Sequence, residues 1–310
     1  MKHVLLVLIA MAEERLARLR ERFELHHAPT DALRASTIAA LGARIEVVLT
    51  NGTTGLRADE IDAMPRLTLA CAWGAGYENL ALDHARARGV ALANGAGTND
   101  DCVADHALAL LLASVRAIRA LDAACRRGVW RDALPMQPQL AGKRLGILGL
   151  GTIGRKIAQR GAAFDMEIGY HNRSPRGELP YRYFDDLAAL ARWSDFLVVA
   201  TPGGASTKHL VDATVLKGLG PTGHLVNIAR GSVVDTSALA EALRAGELGG
   251  AGLDVYESEP RPPSELMDFP NVVLTPHIAG WSPESTEASL QCFIDNAELH
   301  FAGKPLRTPI

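Results

Sequence analysis

Two α/β domains, each a parallel sheet covered by helices on both faces, are what this sequence predicts. Three observations carry that prediction. Short apolar runs alternate with helical patterns from one end of the chain to the other, which is the signature of strands joined by crossover helices. The alternation falls into two series, separated by a long helical stretch at residues 100–127. The length of 310 residues, with 48% hydrophobic and 22% charged side chains, suits two globular domains with sizeable cores.

The first series opens with an apolar run at 4–9, followed by an amphipathic pattern at 12–23. Lys2 and the sequence AMA at 10–12 mimic a short secretory leader. The run reads instead as a buried strand, because a helix follows at once and the cysteines show no pairing pattern. Further strands are expected at 45–49, 67–71 and 90–93, with helices at 31–41 and 82–88. Residues 100–127 read as one long helix, apolar around much of its circumference and therefore heavily buried. The segment 131–142 carries Pro135 and Pro138 and reads as irregular. The second series has strands at 144–148, 166–170, 196–200, 224–228, 250–255 and 272–274, and a closing helix at 283–302 with Pro at its favoured first position.

Composition limits the function. The 48% hydrophobic content with only 22% charged residues excludes disorder, and 32 Lys plus Arg against 35 Asp plus Glu leave a net charge of −3. That charge gives no general attraction to nucleic acid. The longest apolar run, near 107–115, falls far short of the ~20 residues of a membrane span. Cys71, Cys102, Cys125 and Cys292 form no C-x-x-C pair and no zinc-ligand spacing with histidine. Free thiols in a reducing, cytoplasmic compartment and no metal site are the expectation.

The strand at 144–148 runs into Gly149, Gly151 and Gly154 in a G-x-G-x-x-G spacing, and a helical pattern follows. In that context the glycines allow a tight turn, close approach of a pyrophosphate and close helix–strand packing. The helix start, with Thr152 and Ile153, offers free N–H groups and a positive dipole end to phosphate. The next strand ends at Asn172, Arg173 and Ser174, and Asn172 lies 18 residues beyond Gly154. An acidic residue there would hold a ribose 2′-hydroxyl and repel a 2′-phosphate. Asn does not repel it, and Arg173 and Ser174 supply donors, so NADP(H) is favoured over NAD(H). Thr201 and Pro202 end the strand that follows Asp195, where a ligand would lie.

Four segments occur in a fixed order: GLGTIG (149–154), VNIARGSVVD (226–235), GLDVYESEP (252–260) and LTPHIAG (274–280). NGTTG (51–55) and GAGY (74–77) precede them. Together they resemble the D-isomer-specific 2-hydroxyacid dehydrogenase family over nearly the whole chain. The resemblance implies Rossmann- or flavodoxin-like domains, with a cofactor domain at 99–282 inserted into a discontinuous substrate domain of 1–98 plus 283–310. It also implies reduction of a small 2-oxo acid to the D-2-hydroxy acid with a nicotinamide cofactor.

The family's catalytic residues match Arg230, Glu259 and His277. Arg230 would bind the substrate carboxylate and polarise the ketone. His277 would act as general acid, and Glu259 would raise its pKa. Glu257 competes for that last role, but Glu259 directly precedes Pro260, as the family's acid precedes its proline. His106 is assigned to structure. Thr207, Ile228 and Ala229 match family cofactor contacts. Asp254 matches an acid that meets the nicotinamide amide, or it is a structural turn residue. Backbone N–H groups of Gly52, Thr53, Thr54, Ala75 and Gly76 would meet the substrate carboxylate.

Glyoxylate and hydroxypyruvate are the default substrates. Trp281 departs from that type, so it either shapes the pocket, for example against an aryl substrate, or packs in the core. The resemblance further implies a homodimer built on the helix at 100–127 and the arm bearing Trp130. The alternatives are an aryl- or sugar-2-oxo-acid reductase (hydroxyphenylpyruvate, 2-ketogluconate), an NAD-linked D-2-hydroxyacid dehydrogenase and, from another class, a non-enzymatic dinucleotide-sensing dimer.

Overall fold

A computed structural model describes residues 2–310. The chain divides into two compact units, one formed by Met1–Asn99 with Trp281–Ile310 and the other by Asp100–Gly280.

The first unit holds β1 (Val4–Val7), β2 (Glu24–His27), β3 (Val47–Thr50), β4 (Leu69–Ala72) and β5 (Ala91–Ala93), all parallel, in the order β2-β1-β3-β4-β5. This is the flavodoxin-type order. Side chains alternate between the two faces as a strand requires: Leu5 and Val7 enter one core, Val4, Leu6 and Leu8 the other. Helices α1 (Glu13–Arg22), α2 (Asp31–Leu41), α3 (Ala58–Asp62) and α4 (Leu82–Ala87) connect the strands.

The second unit holds β6 (Arg144–Leu148), β7 (Glu167–His171), β8 (Arg182–Phe184), β9 (Phe196–Val199), β10 (His224–Asn227), β11 (Gly250–Leu253) and β12 (Val272–Leu274). Their order is β12-β11-β10-β9-β6-β7-β8, all parallel. This is the doubly wound dinucleotide-binding order with one strand added. Helices α5 (Asp100–Val115), α6 (Ile118–Arg126), α7 (Thr152–Ala163), α8 (Leu187–Trp193), α9 (Ala213–Leu219) and α10 (Thr236–Arg244) belong to this unit. Phe196 and Val198 enter the core beneath α5 and α7; Leu197 and Val199 enter the opposite one. The chain then returns to the first unit through α11 (Pro283–Phe301). Ser282 and Ser285 cap each other's backbone N–H there at 3.0 Å. The C-terminal tail bonds to the free edge of β5, with Ile310 N–H on Leu92 O at 3.1 Å.

The structure corrects several expectations. The apolar run at the start is a strand paired on both sides, and it ends at Val7 rather than residue 9. Two strands went unforeseen, β2 (ELHH) and β8 (RYF). Both are half-exposed edge strands of three or four residues, too short to show an alternating pattern. The single buried helix at 100–127 is two helices. Ala117, at φ 48, ends α5 and turns the chain into α6. Nine residues of α5 are buried but only Ala124 of α6, and Ile118 is 53% exposed. The apolar pattern therefore continues past the point where the core ends.

The break at Ala117 has a sign test. In an unbroken helix, Ala117→Gly would cost about 1 kcal/mol. In the left-handed conformation the methyl group is the strained element, so the same change should stabilise the protein by up to about 1 kcal/mol. Chemical denaturation of the two proteins decides the sign.

Candidate active site

Every candidate residue of the second unit follows the carboxyl end of one of its parallel strands, where ligands meet open α/β sheets. The glycines behind β6 divide the labour. Gly149 lies at φ +100, and a Cβ there would come within 2.7–2.8 Å of Ala200 and Thr201 backbone atoms. A Cβ on Gly154 would lie 2.1 Å from Gly149 O. These two are required by the fold itself. Gly151 is different: it caps α7 without a side-chain bond, and a Cβ on it would meet nothing within 4 Å. The N–H groups of the first turn, at Thr152 and Ile153, thus face room that a phosphate can take, and the residues fit a dinucleotide.

Asn172 serves that loop directly, because its Oδ1 accepts the Leu150 N–H at 2.7 Å. Arg173 and Ser174 next to it are exposed, and the Arg173 guanidinium has no ion-pair or hydrogen-bond partner among the described residues. Thr201 is half-buried and Pro202 exposed after β9, and Ile228 and Ala229 are buried after β10. The Thr207 hydroxyl is spent on its own turn, donating to Pro202 O at 2.9 Å.

Three further segments assemble the polar centre. After β10, the Asn227 amide is buried and folds the chain back: its Oδ1 accepts from Ala229 N–H and its Nδ2 donates to Arg230 O, both at 3.0 Å. That turn presents Arg230, whose aliphatic stem packs so closely on Gly203 that a Cβ at 203 would lie 2.6 Å from Arg230 Cγ. After β11, Glu259 is held at both oxygens. Oε1 accepts from Tyr256 N–H at 2.8 Å and Oε2 meets His277 Nδ1 at 2.9 Å. After β12, His277 sits at φ 53, a conformation that side chains other than glycine adopt only when the surroundings fix it. Glu257 is engaged elsewhere, with His209 at 2.7 Å and Thr236 N–H at 3.1 Å.

What fixes His277 is Asp254. Its side chain is buried, and it accepts from Thr275 Oγ1 at 2.6 Å, Ile278 N–H at 2.9 Å and Ala279 N–H at 2.8 Å. Its main-chain oxygen accepts the His277 N–H at 2.8 Å. His106 lies beside it, with Nε2 at 2.9 Å from Thr275 Oγ1 and 3.5 Å from Asp254 Oδ1. Burial pushes the Asp254 carboxyl up, but His106, Thr275 and the two N–H groups outweigh burial and keep its pKa below the ordinary value. Asp254 thus performs the turn role left open by the sequence. The structural role assigned to His106 places it behind the catalytic loop. Tyr256 closes the arrangement, with its hydroxyl donating to Thr275 O at 2.6 Å.

The electrostatics follow from this geometry. The Glu259 hydrogen bond raises the His277 pKa above its usual 6.5, against burial and the Arg230 charge. Burial raises Glu259, yet the bonds from His277 and Tyr256 hold it below the ordinary value. At neutral pH the pair is a carboxylate facing an imidazole that retains its proton more readily than free histidine. With Nδ1 bound to Glu259, Nε2 is the nitrogen left for chemistry.

In the first unit, Gly52 and Gly76 meet: a Cβ on Gly52 would lie 2.7 Å from the Gly76 carbonyl carbon. The Thr54 N–H is taken by Asn51 Oδ1 at 2.7 Å. The N–H groups of Gly52, Thr53, Ala75 and Gly76 donate to no acceptor among the described residues. Four of the five expected donors are therefore unspent and lie on two touching loops. Trp281 is 76% exposed, which overturns the core-packing alternative.

Asn227, Tyr256, Gly203 and His106 were not foreseen as parts of this centre. Asn227 and Tyr256 lie inside the motifs and had a signal, an Asx turn before Arg230 and a tyrosine three residues before Glu259. Gly203 and His106 act across long separations that no local pattern encodes.

The His277–Glu259 bond makes a direct prediction. In NMR titrations His277 should deprotonate above pH 6.5 in the native protein. Glu259→Gln should lower that pKa, because the neutral amide no longer favours the imidazolium. An unchanged titration would remove the pairing.

Comparison with known proteins agrees with the geometry. Residues 108–279 match the family described as D-isomer specific 2-hydroxyacid dehydrogenase, NAD binding domain. A hydroxyphenylpyruvate reductase of Plectranthus scutellarioides is 39% identical over 293 residues, 94% of each chain. A 2-ketogluconate reductase of Gluconobacter oxydans is 38% identical over 294 residues, again 94% of each. Among solved structures, an NADPH-dependent glyoxylate/hydroxypyruvate reductase of Sinorhizobium meliloti, in complex with NADP and malonate, superposes with a TM-score of 0.92. It is 37% identical, and the match covers 100% of this chain and 97% of that one. With its strand order, its glycine loop and its Arg230–Glu259–His277 set, this chain belongs to the D-isomer-specific 2-hydroxyacid dehydrogenase family.

Proposed function

We propose that the protein reduces a small 2-oxo acid to the D-2-hydroxy acid, using NADPH in preference to NADH. The observation that carries this reading is the His277 Nδ1–Glu259 bond of 2.9 Å, which leaves Nε2 free to carry and pass a proton. The glycine loop and the α7 N-terminus would hold the pyrophosphate, and Thr201, Pro202, Ile228 and Ala229 would border the remainder of the cofactor. When bound, the reduced nicotinamide supplies a hydride to C2 of the substrate. Arg230 binds the carboxylate and draws electron density toward the ketone oxygen through its planar fork. As charge builds on that oxygen, His277 passes its Nε2 proton to it and is left neutral. Glu259 stabilises the imidazolium before transfer and keeps the ring oriented. The unspent N–H groups of Gly52, Thr53, Ala75 and Gly76 give the carboxylate further donors.

Two features support the NADPH preference. Asn172 carries no charge to repel a 2′-phosphate, and its Oδ1 is committed to the loop. Arg173 is exposed and unengaged beside it. Arg173→Ala should raise KM for NADPH by about 10- to 100-fold, the scale of a charge-assisted hydrogen bond, and leave KM for NADH nearly unchanged. Equal losses for both cofactors would refute that role.

Glyoxylate and hydroxypyruvate are the substrates proposed first, and initial rates with NADPH test them. A second reading, an aryl 2-oxo acid such as hydroxyphenylpyruvate, is favoured by the exposed ring of Trp281 and by the Plectranthus relative. A preference for hydroxyphenylpyruvate that Trp281→Ala abolishes would select it. In either case His277→Ala should lower kcat about 10²- to 10⁴-fold. The reductive rate should fall as pH rises through the raised His277 pKa, and Glu259→Gln should move that fall to lower pH. We further propose a homodimer in a reducing compartment. Exposed Trp130 and Met136, at 72% and 98%, support the dimer, and four free cysteines support the compartment.

A further inference from the structure

A buried ion pair in the first unit has no part in the mechanism above. Arg34 of α2 and Glu60 of α3 are 3% and 4% exposed and hydrogen-bonded to each other. Glu60 also accepts the Arg57 N–H at 2.8 Å. Pairs of this kind contribute little net stability, because desolvation offsets the attraction, and apolar residues often replace them without loss. Here Arg34 Nε is buried without an acceptor, which adds to the cost.

The other end of the guanidinium shows what the cost secures. Arg34 Nη1 donates to Thr54 O at 3.2 Å, and Nη2 donates to Gly55 O at 3.3 Å. Two successive carbonyls of the Asn51–Gly55 loop are thus gripped by one planar fork. Thr50 Oγ1 adds a third donor, to Gly55 O at 2.7 Å. The loop closes above this base, with Gly55 N–H on Asn51 O at 2.9 Å and Thr54 N–H on Asn51 Oδ1. Gly52 and Thr53 remain at the tip with N–H groups that have no acceptor among the described residues.

Building on the reading of this loop as a carboxylate-binding element, we propose that Arg34, neutralised by Glu60, is the positioning residue that sets its geometry. The guanidinium fixes the base of the loop, the Asn51 bonds fix its sides, and the two free N–H groups are thereby aimed before substrate arrives. Arg34 touches neither substrate nor cofactor. Its effect is on the affinity for the 2-oxo acid alone, because preorganised donors spare the cost of ordering the loop on binding.

The test begins with the native protein. Hydrogen exchange of the 51–56 segment is followed in the NADPH-loaded enzyme with and without oxamate, an unreactive 2-oxo acid analogue. Slower exchange with oxamate is expected; no change would overturn the loop's role as carboxylate binder, and the proposal with it. Arg34→Met/Glu60→Gln, which leaves neither charge buried alone, should then raise KM for glyoxylate about 10-fold. It should leave kcat and KM for NADPH within about two-fold. Arg34→Lys keeps the charge but loses the fork, so it should give a smaller rise; it serves as the variant if the double substitution does not fold. Native protection by oxamate together with an unchanged glyoxylate KM in a folded Arg34 variant would overturn the positioning role while the loop reading stood. Parallel losses in kcat and both KM values would show a general structural role instead.

Discussion

The buried carboxylate of Asp254 is the constraint on which the candidate active site depends. A charge that is 1% exposed is tolerated only if its oxygens are satisfied. Thr275 and the N–H groups of Ile278 and Ala279 satisfy them. In doing so they wrap the chain after β12 around the carboxylate and hold His277 at its positive φ. Glu259, anchored by the Tyr256 N–H, can then meet Nδ1 rather than Nε2. The protonation chemistry of the exposed pair is therefore set from behind, by a residue that never needs to reach the substrate.

The same economy appears in both units. Each parallel sheet brings loops to the carboxyl ends of its strands, and each uses buried or half-buried polar side chains to shape them. Asn227 turns the chain before Arg230, Asn172 secures the glycine loop, and Arg34 grips the base of Asn51–Gly55. All three bond to backbone groups of the loop they shape, and Arg34 bonds the Glu60 carboxylate as well. A backbone carbonyl or N–H held this way fixes the peptide plane, and with it the direction of the next functional group. Such residues determine geometry at a distance of one or two peptides from the chemistry.

Backbone donors recur at both candidate anion sites. The first turn of α7 has no side-chain cap, and the paired loops at Gly52 and Gly76 leave four N–H groups without an acceptor among the described residues. Unsatisfied donors are costly in a closed interior. Their concentration on one helix turn and one loop pair, each tied to glycine, fits sites where a phosphate and a carboxylate would complete the bonding.

Much of this was legible in the sequence, because the features concerned are local. The limits of 144–148 and 272–274 match the structure residue for residue, because each is a short run dominated by apolar side chains. The glycine fingerprint and the Arg230, Glu259 and His277 motifs are each contained within a few residues, so their order alone identified the family. Other features depend on which surfaces face a core and which face water, and the sequence could not show them. The apolar pattern continued through 118–127, but the core stopped at Val115, and Ala117 broke the helix. Edge strands β2 and β8 needed no apolar run and gave no signal. Sequence alone thus determined the fold class and the chemical inventory, since both are written in local periodicity and spacing. Only the tertiary structure decided that Asp254 and His106 build the histidine loop and that Arg34 builds the other, because those bonds join residues from 20 to 169 positions apart.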